Sequence, residues 1–168
     1  SSVLVMEDIK GIPIDHIEQL QAQGYDMEEI AEKLADNYIK QILDDGFFHA
    51  DPHQGNIIIR GGQIVWLDLG MVGVLSNRDR LLLRNAMLAV TRQDIYELEN
   101  AIMSIGVIKG KVNHNELYED IRIFVDRYAT SDLSELNLGR VLSDMMEIAA
   151  KHQIGLPNSV TMLVRGVL

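Results

Sequence analysis

The residues best equipped for chemistry lie between Phe47 and Gly70, where helical periodicity fails and His49, Asp51, His53, Asn56 and Asp68 collect. A carboxylate on a loop, Asp51, can orient or deprotonate a hydroxyl. Asn56, just after it, can turn its side-chain oxygen toward a cation, and Asp68 can hold the same cation from the other side if the chain between them doubles back. Gly70 would let the backbone turn sharply after that ligand. Oxygen donors of this kind suit Mg²⁺, which is usually held by one or two carboxylates together with substrate phosphates. A different chemistry is open to His49-x-Asp51-x-His53, whose alternate residues on an extended segment could share a zinc-like ion in a metallohydrolase. Each residue also has a local role open to it: Asp51 as a turn cap before Pro52, Asn56 as a loop end, and Asp68 as a strand-end turn residue.

The elements around this segment must position it. Ile57-Ile58-Ile59-Arg60 and Gln63-Ile64-Val65-Trp66-Leu67 flank Gly61-Gly62, the clearest hairpin signal in the chain, and it returns Asp68 toward Asn56. Upstream, Asp15 to about Gln23 reads as a short helix closed by Gly24. Asp26-Met27-Glu28-Glu29 opens a longer one of roughly 18 residues, striped by Ile30, Leu34, Tyr38 and Ile42 and ending at Asp44-Asp45-Gly46. Val3-Leu4-Val5-Met6 reads as a strand leading into a connector. Downstream, Ser76 with Asp79 caps a helix over Leu81–Thr91. Further apolar stripes begin at Ile95, at Leu117 after Asn113 and Glu116, and at Leu138. A last helix follows Leu156-Pro157-Asn158. The expected fold class is mostly α with a small β-hairpin, an α+β arrangement in one unit.

Composition narrows the function. The 168 residues carry 15 Lys+Arg against 25 Asp+Glu, a formal net charge of −10, which argues against sequence-independent nucleic-acid binding. With no cysteine, disulfide scaffolds, thiol catalysis and Cys-ligated metals are excluded. No apolar run approaches the length that spans a bilayer. The chain starts in a β-like apolar run without Met and stops inside an apolar helix, as expected of a stretch cut from a longer protein.

His49-Ala50-Asp51 followed by Asn56 and Asp68-Leu69-Gly70 has the layout of a protein-kinase catalytic loop and metal loop. More specifically, Phe47-Phe48-His49-Ala50-Asp51-Pro52-His53-Gln54-Gly55-Asn56 resembles the G-F-F-H-A-D-P-H-P-G-N signature of the UbiB/ADCK (AarF-domain) atypical kinase-like family. Trp66-Leu67-Asp68-Leu69-Gly70-Met71-Val72-Gly73 is similar to its L-D-F-G-M-x-G segment. Gln54 stands where the family has Pro, and Leu69 where it has Phe.

The resemblance implies that residues 1–168 form a kinase-like C-terminal lobe, with a hinge strand at 3–7, a catalytic loop at 47–56, a hairpin at 57–67, a metal loop at 68–70 and a helical remainder at 76–168. It implies ATP and Mg²⁺ as cofactors, Asp51 at the catalytic position, and Asn56 and Asp68 as metal ligands. His49 and Gly70 would support the loop. Glu7 would sit at the hinge beside adenine, and His53 would contact nucleotide or brace the loop. It further implies an ATP-dependent kinase or ATPase that serves isoprenoid-quinone (ubiquinone) biosynthesis or lipid homeostasis, with lipid or quinone-pathway proteins as partners. The full-length protein would act on the cytoplasmic side of a membrane, attached through segments outside this stretch, which would itself be soluble. The family's phosphate-pairing Lys, its partner Glu and its K-x-G-Q segment have no counterpart in these residues, so the stretch alone is expected to fold without catalysing. A small-molecule phosphotransferase of the aminoglycoside/choline-kinase kind shares H-x-D-x-H-x-x-N and stays open, as does a nucleotide-binding pseudokinase scaffold.

Overall fold

The computed structural model describes residue 3 and residues 5–129 and 138–167. Regular structure begins with a short strand, β1 (Ile12–Pro13), followed by α1 (Ile17–Ala22). The strand expected at 3–7 is not formed by its described residues: Val3, Val5 and Met6 are irregular and exposed, and Leu4 lies outside the described residues. A strand needs a neighbour to take its N–H and C=O groups. Among the described residues, no strand pairs with this run; β1, further on, is the segment that finds a partner.

Asp26 opens α2 (Met27–Lys40) by accepting the Glu28 N–H at 2.8 Å, satisfying one of the orphan donors of the first turn. The helix continues as a π turn over Gln41–Asp45 and stops at Gly46, whose φ of 66° is the left-handed conformation that glycine adopts without a Cβ penalty. β2 (Phe47–His49) follows, then a 3₁₀ turn (Gln54–Asn56), and then the hairpin β3 (Ile57–Arg60) and β4 (Gln63–Trp66). Gly61 and Gly62 both have positive φ, as a two-residue hairpin turn requires, and Ile57 pairs with Trp66 at the open end. β1 adds to the far edge of β3, and β5 (Val72–Val74) pairs antiparallel with β2, setting His49 opposite Val72.

The helical remainder is α3 (Asn77–Arg92), α4 (Ile95–Ile105), α5 (His114–Ala129), α6 (Leu138–Lys151) and α7 (Asn158–Val167), with β6 (Val107–Ile108) and β7 (Ile154–Gly155) as a small clasp. Ser76 caps α3 as its spacing requires, its Oγ accepting the Asp79 N–H at 3.1 Å.

Apolar burial divides into three clusters. Ile12, Leu20, Ile30 and Ile59 fix the hairpin sheet onto α1 and α2. Leu98, Leu117, Ile121, Phe124 and Val125 are central to the core shared by α3, α4, α5 and α6. A third cluster supports the candidate site: Tyr38, Ile42, Phe48, Ala50, Leu75, Ile105, Val160 and Leu163. The loop before Asn56 is therefore anchored from beneath by side chains drawn from α2, β2, α4 and α7. This is the mostly helical α+β fold expected, with a small hairpin set into it.

Candidate active site

The site is built on β2. Phe48 is fully buried, and the far end of its ring packs against Gly73 of β5. That anchor leaves His49 and Ala50 buried while Asp51 emerges into solvent. His49 then ties the two candidate acidic segments together. Its Nδ1 accepts the Asp51 N–H at 3.2 Å and its Nε2 lies 2.8 Å from the Leu67 carbonyl. A ring nitrogen that accepts from an N–H cannot carry a proton, so Nε2 must be the protonated nitrogen and the donor to Leu67. The neutral Nε2–H imidazole thus acts as a bridge between the loop and the residue before Asp68. The ring also stacks on Trp66, with centroids 5.4 Å apart.

Asn56 is buried. Its amide nitrogen donates to the Asp51 carbonyl at 3.0 Å, which fixes the side-chain orientation and leaves Oδ1 as the acceptor end available to a cation. Its own carbonyl accepts the Leu67 N–H at 2.8 Å. The backbones of Asp51, Asn56 and Leu67 are thereby joined in one hydrogen-bonded unit, with Asp68 next in line.

Asp68 is exposed and has φ of 52°. The sharp turn expected of Gly70 is made by Asp68 itself, since the φ of Gly70 is not in the left-handed region. Aspartate is among the few residues that visit this conformation, because its short side chain can bond locally. Its Oδ1 accepts the Gly70 N–H at 3.2 Å. Gly70 matters sterically instead: a Cβ there would stand 3.0 Å from the same carboxylate oxygen.

His53 is exposed. Its Nδ1 accepts the Gly55 N–H at 3.1 Å, and its Nε2 is 3.8 Å from Asp51 Oδ2, a through-space ion pair only when the ring is charged. His53 thus braces the loop locally. Glu7 pairs through its side chain with Arg60 at 3.1 Å, at the end of the hairpin. The His49-x-Asp51-x-His53 metal triad does not form. Both nitrogens of His49 are engaged within the protein, and among the described residues no group of three or more His, Cys, Asp or Glu side chains could hold a metal ion. Residues i, i+2 and i+4 share a face only while the chain stays extended; β2 ends at His49 and the chain turns into the 3₁₀ turn at Gln54–Asn56, so the buried His49 parts from the exposed Asp51 and His53.

Sequence reasoning read Tyr38 only as a stripe residue and passed over Gln41 and Gly166, which meet the loop, and Asn37, which joins Gln41 to Trp66 of the hairpin. The Tyr38 hydroxyl donates to the His49 carbonyl at 2.9 Å; burial pushes its pKa up to about 12, so it remains a neutral donor. Gln41 Oε1 accepts the His49 N–H at 3.0 Å. A Cβ on Gly166 of α7 would sit 3.0 Å from the Ala50 carbonyl, so that helix touches the loop backbone directly. The available signal was a polar pair, Asn37 and Gln41, four residues apart beside the buried Tyr38.

The donor set fits Mg²⁺. An amide oxygen and an exposed carboxylate are hard oxygen ligands, and two such groups on one lobe match an ion that keeps waters and completes its shell with phosphates.

Comparison with known proteins gives the family. Residues 1–102 match the ABC1 atypical kinase-like domain, and residues 121–168 match the UbiB helical domain. The helical core crosses from one matched segment to the other, since Ala86, Ala89, Leu98, Ala101 and Ile102 pack with Ile121, Phe124, Val125 and Tyr128. A relative from Clostridium pasteurianum, described as an uncharacterized protein in the hydrogenase 1 5′ region, is 42% identical over 166 residues, covering 99% of this chain and 31% of the relative. An uncharacterized protein of Synechocystis sp. is 26% identical over 167 residues, covering 98% of this chain and 28% of its own length. The chain thus spans about a third of the length of these relatives. With a match over 1–102 that contains the whole segment from His49 to Gly70, the chain belongs to the ABC1 atypical kinase-like family.

Proposed function

We propose that this chain carries the metal-binding and acceptor-orienting face of a Mg²⁺-ATP-dependent kinase or ATPase. The observation that supports this most is the hydrogen-bonded unit joining His49, Asp51, Asn56 and Leu67, which ties Asp51 and Asn56 to the residue that precedes the exposed Asp68. Asn56 Oδ1 and the Asp68 carboxylate would hold the ion, which supplies charge neutralisation at the phosphates of bound ATP. Asp51, exposed at the loop edge, orients a hydroxyl or a water and accepts its proton at a carboxylate oxygen. His49 keeps the two acidic segments at fixed separation. Such a division of labour is what phosphoryl transfer requires, because its catalysis is mainly positioning and electrostatic stabilisation.

The whole protein, by its family resemblance, would serve isoprenoid-quinone or lipid metabolism at the cytoplasmic side of a membrane, with lipid or quinone-pathway proteins as partners. Among the described residues, no helix is long and apolar enough to cross a membrane. In the longer natural protein, Mg²⁺-dependent ATP turnover should be abolished by Asp68→Asn and strongly reduced by Asp51→Asn, with both variants folded. Parental turnover rates in both variants would defeat the reading.

A further inference from the structure

Among the described residues β2 has one strand beside it, β5, so its outer edge would leave the backbone groups of His49 without strand partners. Side chains from the end of α2 take both. Gln41 Oε1 accepts the His49 N–H at 3.0 Å, and the Tyr38 hydroxyl donates to the His49 carbonyl at 2.9 Å. The amide of Gln41 is itself oriented, because its Nε2 donates at 2.9 Å to Asn37 Oδ1, the atom that also accepts the Trp66 indole N–H at 2.8 Å. Gln41 is the first residue of the π turn that ends α2, and Tyr38 lies one turn earlier. Single π turns inside α-helices recur at functional sites.

The network therefore runs from α2 through both backbone groups of His49, and from the His49 ring to the Asp51 N–H on one side and to the Leu67 carbonyl, next to Asp68, on the other. We infer that Gln41 and Tyr38 are positioning residues that set the separation of Asp51 and Asp68 by gripping His49 from outside the loop. This inference rests on the Mg²⁺-nucleotide reading above for its catalytic consequence, but not for its structural one. A rotation of His49 moves both its ring bonds together, so loosening either grip should displace the acceptor-orienting and metal-holding carboxylates relative to each other. Displacements of the order of 1 Å can cost about 10²-fold in rate.

The test uses the longer natural protein with Gln41→Met, Gln41→Glu and Tyr38→Phe. Two quantities are measured: amide hydrogen exchange across Phe47–Asn56, and kcat and KM for Mg²⁺-dependent ATP turnover. Gln41→Met removes both the acceptor and the donor at similar volume, whereas Gln41→Glu retains an oxygen for the His49 N–H and loses only the donor to Asn37 Oδ1. The expected result for Gln41→Met is exchange at His49 and Asp51 faster by about tenfold or more, with kcat lower by about tenfold or more and KM for ATP within about twofold. Tyr38→Phe should act in the same direction, Gln41→Glu should lie between Gln41→Met and the parent, and protection in Ile57–Trp66 and in α5 should be unchanged. Unchanged exchange at His49 and Asp51 in both Gln41→Met and Tyr38→Phe overturns the inference, as does faster exchange with unaltered kcat. Faster exchange in a protein whose parent shows no ATP turnover supports the grip on His49 and overturns the proposed function alone.

Discussion

Gly73→Ala tests the anchor on which the site is built. A Cβ at this position would lie 2.6 Å from Phe48 Cε2 and closer still to Cζ and Cε1. Carbon atoms pack at about 3.5–4.0 Å, so the ring would have to retreat by about 1 Å or more. It has nowhere to go, since Phe48 is fully buried against Tyr38, Ile42, Leu75, Ile105, Val160 and Leu163. Overpacking of this kind costs about 1–3 kcal/mol, which for a chain of this length lowers Tm by roughly 2–12 °C. Urea denaturation of the 168-residue chain should show a lower midpoint with an unchanged slope. Phe48→Leu gives the decisive comparison. Alone it leaves a cavity and destabilises, but combined with Gly73→Ala it makes room for the new methyl group. The double variant should be more stable than the sum of the singles by about 0.5 kcal/mol or more, the coupling expected of side chains in contact. Additive losses, or a Gly73→Ala protein as stable as the parent, would refute the close packing of β2 on β5.

Other outcomes follow from the same geometry. Asp68→Asn should unfold at the parental urea midpoint, because Asn tolerates the left-handed conformation and keeps an oxygen for the Gly70 N–H, whereas Asp68→Ala should lose about 1 kcal/mol from backbone strain and the lost turn bond. The carboxyl of Asp120 is held below its ordinary value by hydrogen bonds from Lys151 and His152, and that of Asp144 by Tyr128 and Arg127. Their stabilisation is therefore complete above the unfolded-chain value of about 3.9 and is lost as pH falls through the lower folded values. Urea midpoints measured from pH 6 to pH 2 should fall less steeply below pH 4 for Asp144→Asn than for the parent, and equal slopes would contradict the pairing. The 168-residue chain should unfold cooperatively yet hydrolyse ATP no faster than background, since the proposed ligands Asn56 and Asp68 alone would hold Mg²⁺ weakly without bound phosphates; turnover matching the longer protein would overturn that division of labour.

Much of this was legible in the sequence because local rules and tertiary packing agree. Asp26 and Ser76 cap the helices their spacing announces, and Gly61-Gly62 makes the hairpin that brings Asp68 back toward Asn56. What could not be read depends on contacts between distant segments. Val3–Met6 has the composition of a strand, but pairing decides strands, and Ile12–Pro13 is what reaches Ile59 and Ile58. Gly70 was the obvious turn residue, yet the positive φ falls on Asp68, whose carboxylate then bonds to the backbone two residues on. Periodicity marks Tyr38 as apolar-facing without revealing that its hydroxyl finds a carbonyl, and the two-residue spacing of His49, Asp51 and His53 does not tell which of them the core will bury.

The central claim is that Asn56 and Asp68 hold a divalent cation on bound nucleotide. Mn²⁺ in place of Mg²⁺ reports its own location, because its unpaired electrons broaden the NMR signals of nearby amides. With ATP and substoichiometric Mn²⁺ added to the isotopically labelled longer protein, broadening should concentrate on Asp51, Asn56 and Asp68–Gly70 and disappear in Asp68→Asn. Broadening centred instead on the acidic groups of α5 and α6, Asp120, Asp144 and Glu147, or spread evenly over the acidic surface, would contradict the account.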